Sequence, residues 1–192
     1  AVAADENKFK DVVIKTIDVA DGIYMLVGDG GNIGVSVGED GIFMIDDQFA
    51  PLTPKIKAAI AAISDQPISF LINTHWHYDH TGGNENLGKE GVLIIAHDNV
   101  HKRMSVDTEI KAFGATVPAS PKVALPVITF NDTTTFHING EEIHVFHQRN
   151  AHTDGDSVIH FKGSNVMHTG DVWFNGLYPF IDTSSEGSID GV

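Results

Sequence analysis

Thr74-His75-Trp76-His77-Tyr78-Asp79-His80-Thr81-Gly82-Gly83 decides how this chain is read. The stretch sets three imidazoles and a carboxylate within His75–His80, directly after the apolar run Ile68-Ser69-Phe70-Leu71-Ile72, which reads as a buried strand. Imidazole and carboxylate are the ligands a borderline-soft divalent ion such as zinc prefers. Residues two apart on an extended segment face the same way, so His75 and His77 can reach one ion. Asp79 and His80 are adjacent and diverge, which suits a second ion beside the first. Gly82 and Gly83 then allow a sharp turn without steric penalty. A single histidine would read as a surface residue. Four ligand-type groups at H-x-H-x-D-H spacing after a strand read as a metal site.

Two later motifs extend the pattern, Ala151-His152-Thr153-Asp154-Gly155-Asp156 and His168-Thr169-Gly170-Asp171. With the first, they make the chain resemble the metallo-β-lactamase superfamily from about Ile14 to its end. The resemblance implies an α/β fold, the four-layer αββα sandwich, over residues 11–192. It implies a first ion on His75, His77 and His152, and a second on Asp79, His80 and a bridging Asp171. Three neutral imidazoles leave a fourth position open, as catalytic zinc sites do. Two ions sharing a water lower its pKa and supply hydroxide for attack on a carbonyl carbon, with Asp79 able to orient it. Asp46, at the end of an earlier strand, would support the metal loop from behind. Asp156 reads as a structural carboxylate satisfying loop amides.

No cysteine is present, so thiolate ligation and disulfides are excluded. Cysteine-free ligation resembles the glyoxalase II, lactonase and subclass B3 lactamase branches, and the Gly170-Asp171 pair points to the thioester or lactone side. The leading expectation is a binuclear zinc hydrolase of a small ester, thioester or lactone. Iron or manganese would fit the same ligands nearly as well. The rivals are a B3-like β-lactamase and a metal-binding but catalytically incomplete chain. The net charge of −14 disfavours a nucleic-acid substrate. No run of apolar residues is long enough to span a membrane.

Composition sets the frame: 192 residues and 42% hydrophobic content suit one domain with a real core. Residues 1–10 are polar and expected to be loosely held. Ala1–Glu6 resembles the remainder of a removed signal peptide, which sets a periplasmic or secreted expectation, with the cytoplasm as the alternative. Strands are expected over Val12–Ile17, Ile23–Val27, Ile33–Val37 and Ile42–Ile45. The glycine cluster Gly28–Asn32 between them lacks the Lys-Ser/Thr ending of a phosphate cradle. Thr53 can cap a helix with Pro54 first, burying Ile56, Ala59, Ile60 and Ile63. A short helix over Gly83–Leu87, a strand over Val92–Ala96 and a helix capped by Asp98 follow, with His97 and His101 expected on its polar surface.

Residues 105–126 read as an irregular crossing segment with a helical turn near Glu109–Phe113. Strands over Val127–Phe130, Thr133–Ile138 and Glu141–His147 come next, and Asn139-Gly140 marks a hairpin. His137, His144, His147 and His168 read as structural or solvent-facing. Strands over Ser157–Phe161 and Val166–Thr169 bring in the last motif. The aromatic stretch Val172–Phe180 offers Tyr178 and Phe180 as walls for a small-molecule substrate, against plain core packing. The resembled fold continues past this point with a helix, further strands and one more histidine for the second ion. The expectation is therefore a second half whose last part is missing, with self-association or completion by another chain.

Overall fold

The computed structural model describes residues 6–192. In chain order its strands are β1 (Lys15–Ala20), β2 (Ile23–Val27), β3 (Ile33–Gly38), β4 (Gly41–Ile45), β5 (Ile68–Ile72), β6 (Leu93–His97), β7 (Thr108–Ile110), β8 (Ala115–Val117), β9 (Ile128–Phe130), β10 (Thr133–Ile138), β11 (Glu141–His147), β12 (Ser157–Phe161) and β13 (Val166–His168). Its helices are α1 (Thr53–Ala61), α2 (Tyr78–Thr81), α3 (Asn84–Lys89) and α4 (Asp98–Met104). The larger sheet runs β1-β2-β3-β4-β5-β6-β9, an antiparallel meander over β1–β4 that turns parallel from β4 onward. The smaller, β10-β11-β12-β13, is antiparallel throughout.

Strand β4 shows why the layers stack as they do. All five of its residues are buried, so it carries no polar alternation. Ile42 and Met44 pack with Ile56 and Ile60 of α1 on one face. Phe43 and Ile45 pack on the other face against Ile143, Val145, Ile159 and Phe161 of the second sheet. Successive side chains point to opposite faces, so one strand serves two cores. The order helix, sheet, sheet matches three successive layers of the αββα sandwich, and all four described α-helices precede the second sheet in the chain.

Several local expectations are corrected. Thr53 lies inside α1 and makes no side-chain cap; its hydroxyl accepts from Asn86 Nδ2 at 3.0 Å instead. The crossing segment holds a hairpin, β7 against β8, closed by a 3-10 turn at Lys111–Phe113 and by Gly114 at φ 56°. Three-residue strands are too short to give a periodic signal. Within the N-terminal stretch, Glu6–Phe9 forms a 3-10 helix and Phe9 is buried 4.8 Å from the Phe49 ring. Lys55 Nζ donates to the carbonyls of Phe9, Lys10 and Val12 and fixes that entry. Residues 1–5, and most of the leader-like stretch with them, lie outside the described residues. The Asn139-Gly140 hairpin forms as expected, both residues at positive φ. Asn139 also exchanges bonds with Asp40 of the first sheet, tying the two sheets together at that end.

His97 does not lie on the polar helix surface. It is the buried last residue of β6 and itself caps α4, its Nδ1 accepting from Asn99 N at 3.2 Å. Its Nε2–H then donates to the Asn131 carbonyl, and its ring stacks 3.8 Å from His147. Burial, then the neighbouring His147, lowers its pKa. The folded state thus binds fewer protons than the unfolded one, so stability present above the unfolded pKa of about 6.5 is lost as pH falls towards the folded value. His97→Gln keeps an acceptor for the cap but does not titrate. Urea midpoints measured from pH 7 down to pH 5.5 should fall less steeply for the variant than for the wild type.

Candidate metal centre

Strands β4 and β5 lie side by side in parallel and release their next residues at one edge. Asp46 follows β4 in the left-handed conformation, φ 60°, with its amide held by the Ile72 carbonyl at 2.9 Å. That turn sends its carboxylate inward, where it has no exposed surface. Oδ1 accepts from Thr74 N at 2.7 Å; Oδ2 accepts from Thr74 Oγ1 and His80 Nδ1, both at 2.8 Å. One aspartate thus fixes both ends of the His-rich loop. Asp47 beside it accepts from Gly83 N at 2.8 Å.

Asp79 and His80 sit on α2, a single helical turn, rather than on an extended loop. They still diverge, because neighbours on a helix point about 100° apart. Gly82 has an ordinary helical φ of −66° and Gly83 one of −81°, so neither is needed for a sharp turn. What they provide is clearance: a Cβ at Gly82 would lie 2.6 Å from the Gln48 carbonyl, and one at Gly83 would lie 2.9 Å from Asp47 Cγ. The cluster Gly28–Asn32 works likewise. A Cβ on Gly31 would lie 2.1 Å from His80 Cε1, and one on Gly30 would lie 3.0 Å from Asp79 Cβ.

The hydrogen bonds of three imidazoles settle where their lone pairs point. Thr74 Oγ1 spends its proton on Asp46, so it accepts from His75 Nδ1 at 3.1 Å. His75 Nε2 is then a lone pair, buried and without a partner. His77 Nε2–H donates to Asp182 Oδ2 at 3.0 Å, leaving Nδ1 as the lone pair. His152 Nδ1–H donates to the Phe180 carbonyl at 2.6 Å, leaving Nε2. His77 Nδ1 and His152 Nε2 face each other at 2.9 Å. One ligand atom from each of His75, His77 and His152 lies within 4.8 Å of the others. Two lone pairs at that separation repel unless something positive lies between or beside them. Burial, then the neighbouring histidines, lowers the pKa of His75 and of His152, which disfavours protons in that place.

A second group lies alongside. His80 donates through Nδ1 to Asp46, and its Nε2 faces Asp171 Oδ1 at 3.2 Å and Asp79 Oδ2 at 3.5 Å. His75, His80 and Asp171 can again bring one ligand atom each within 4.8 Å. Burial opposes charge on His80, but Asp46, Asp171 and Asp79 outweigh it and raise its pKa well above the usual value. Burial likewise opposes ionisation of Asp79 and Asp171, but His80, joined by His77 for Asp79 and by His152 for Asp171, lowers both pKa values. Asp171 addresses both groups, since its Oδ2 lies 3.7 Å from His152 Nε2. It reaches this position from the second sheet, after β13, rather than from a strand parallel to β5. Gly170, at φ 51°, lets that turn pack directly on Thr74.

His152 is placed by its own loop and by α4. Asp156 accepts from Thr153 N and Thr153 Oγ1, the structural role expected of it, and burial lifts its pKa to about 7 against those two bonds. Arg103 of α4 grips Asp154 with two bonds of 2.6 and 2.9 Å, and Asn99 Nδ2 donates to the Asp154 carbonyl. His168 stays structural, its Nε2 bonded to the Asn32 carbonyl at 3.0 Å. His147 does too, with Nδ1 on the Asp156 carbonyl.

Asp182 is the residue that sequence reading missed. It is buried, holds His77, and accepts from Ser184 N and the Ser184 and Ser185 hydroxyls. Ser185 Oγ in turn accepts from the Trp76 indole. Its partner stands 105 residues earlier, and only the Asp-Thr-Ser-Ser run hinted at a local turn. Of the expected substrate walls, Phe180 lies 5.6 Å from the His152 ring, whereas Tyr178 is 98% exposed.

The chain belongs to the metallo-beta-lactamase superfamily, whose family model matches residues 26–190. A hydroxyacylglutathione hydrolase of Polaromonas sp. (strain JS666 / ATCC BAA-500) is 32% identical over 130 residues, 67% of this chain and 47% of the relative. A second of that name, from Pelagibacter ubique, is 27% identical over 122 residues, 62% of this chain and 43% of its own length. The chain thus spans less than half the length of these curated relatives. A solved metallo-beta-lactamase with a HARLDQ motif, from Cronobacter sakazakii, matches 98% of this chain and 74% of its own at a TM-score of 0.75 and 18% identity. A subclass B3 metallo-beta-lactamase of Bradyrhizobium japonicum matches 81% of this chain and 59% of its own, at 0.66 and 20%. At such identities the likeness is one of fold. No described helix is long and apolar enough to cross a membrane.

Proposed function

We propose that the chain is a metal-dependent hydrolase of a small ester, thioester or lactone, with two divalent ions, zinc by preference. The observation that carries this reading is the convergence of three lone pairs, each fixed by a partner on the far side of its ring. Carboxylates and carbonyls behind histidine rings orient and strengthen metal ligands. Asp46, Asp182, Thr74 and the Phe180 carbonyl fill that role here. His75, His77 and His152 would hold one ion, and Asp79, His80 and Asp171 the other. When bound, the ions supply an activated water and electrophilic assistance to a carbonyl.

The chain's own groups do the rest. Asp171 spans both sets of ligands and fixes their separation. Asp79, held below its usual pKa and 31% exposed, keeps an ionised carboxylate on the open side, where it can orient the nucleophile and accept a proton. The curated relatives' name, hydroxyacylglutathione hydrolase, supports this branch over amide hydrolysis.

The test is elemental analysis of protein purified without added metal, followed by assays on ester, thioester, lactone and carbapenem substrates. About two equivalents of zinc and chelator-sensitive ester, thioester or lactone hydrolysis are expected. Full occupancy without hydrolysis of any substrate would overturn the reading in favour of a metal-binding unit. Carbapenem turnover alone would overturn it in favour of a lactamase.

A further inference from the structure

The loop Val172–Ile181 is moored to the metal centre at both ends. Asp171, just before it, faces His80 and His152; Phe180, near its close, binds His152 through its carbonyl and lies over that ring. Between the moorings the loop carries no charged residue. Its large side chains are turned outward instead of inward: Trp173 is 63% exposed, Leu177 74% and Tyr178 98%. Phe174 lies 6.5 Å from the His152 ring. Phe113, at the tip of the β7–β8 hairpin and 65% exposed, packs 5.3 Å from Phe180 and continues the surface. Within this chain most of the surface of Trp173, Leu177, Tyr178 and Phe113 is in water. Exposed apolar side chains gathered beside a polar centre mark a ligand surface.

We infer that this rim recognises an uncharged apolar acyl group, aliphatic or aromatic, on the ester or thioester substrate. The inference rests on the hydrolase reading for the reaction, but not for binding. It also separates the chain from relatives named for hydroxyacylglutathione. The glutathione part of such a substrate carries two carboxylates, and the loop Val172–Ile181 holds no cation to pair with them.

Two measurements test it. In the first, hydrolysis is followed with p-nitrophenyl acetate, butyrate, hexanoate and octanoate, and with the adipate half-ester, which matches hexanoate in length but adds a carboxylate. The ratio kcat/KM should rise roughly two- to fourfold per methylene until the rim is filled, and the adipate half-ester should be the poorer of the matched pair. Phe113→Ser should flatten that rise. In the second, butanamide and octanamide are titrated against tryptophan fluorescence. Of the two tryptophans Trp76 is buried, so Trp173 reports on the rim. Octanamide should give a saturable blue shift at lower concentration than butanamide.

Hydrolysis indifferent to chain length, preference for the adipate half-ester, or absence of the shift would each overturn the inference. A chain-length-dependent shift without any hydrolysis would instead overturn the hydrolase reading and leave the apolar site standing.

Discussion

Asp46→Ala should cost this protein about 4–7 kcal/mol, a large share of a typical total of about 5–15 kcal/mol. The carboxylate has no exposed surface and accepts from three donors, Thr74 N, Thr74 Oγ1 and His80 Nδ1. Alanine leaves Thr74 N and His80 Nδ1 in the interior with nothing to bond, and leaves the Thr74 hydroxyl only His75. Removing one partner of a buried charged network costs about 3–5 kcal/mol, because the remaining groups keep their desolvation penalty. The backbone adds a second cost. Asp46 sits at φ 60°, a conformation that Asp and Asn adopt readily and that disfavours a Cβ-bearing residue such as alanine by about 1–2 kcal/mol. Asp46→Asn separates the two effects. It tolerates the backbone and keeps one accepting oxygen, but turns an amide towards at least one donor, so about 2–3 kcal/mol is expected. The order wild type, Asn, Ala in urea midpoints checks both terms. A loss under about 1 kcal/mol for Asp46→Ala would mean that water or a shifted side chain replaces the network.

How much of this was readable from the sequence follows the range of the interactions. The H-x-H-x-D-H run, the Ala151–Asp156 motif and the Gly170-Asp171 pair each carry their chemistry within a few residues, so their convergence was open to a reading of motifs. The buried strands and α1 were readable for the same reason, since runs such as Gly41–Ile45 and the Ile56/Ile60 spacing are local. Asp182 was not, because its meaning lies in His77, 105 residues away. His97 was misplaced because its pattern shows a histidine beside a helix, whereas its burial comes with distant partners, Phe130, Asn131 and His147. Gly30, Gly31, Gly82 and Gly83 were read as turn formers or as a failed phosphate cradle. Their function is the space they leave for His80, Asp79, Asp47 and the Gln48 carbonyl. Clearance is a property of two segments at once, and no single stretch of sequence displays it.

His152→Ala should separate the metal-loaded protein from the metal-free one more than any other single change. In the loaded state it removes one ligand of the first ion. Structural zinc sites are worth about 10–16 kcal/mol over four ligands, which makes one ligand worth about 3 kcal/mol, or a loss of metal affinity of about 10²–10³-fold. In the metal-free state the balance is different. His152 Nε2 there faces His77 Nδ1 at 2.9 Å, lone pair against lone pair, and its burial disfavours the proton that would relieve them. Deleting the ring removes that repulsion, which offsets part of the cavity it leaves and part of the lost bond to the Phe180 carbonyl. The melting temperature should therefore fall steeply in saturating zinc and much less in chelator, while competition with a zinc-binding dye reads the affinity directly. Equal losses in both conditions would show that His152 serves packing rather than metal. The buried, preoriented lone pairs would then be a cost without a ligand to justify it, which is the arrangement natural interiors avoid.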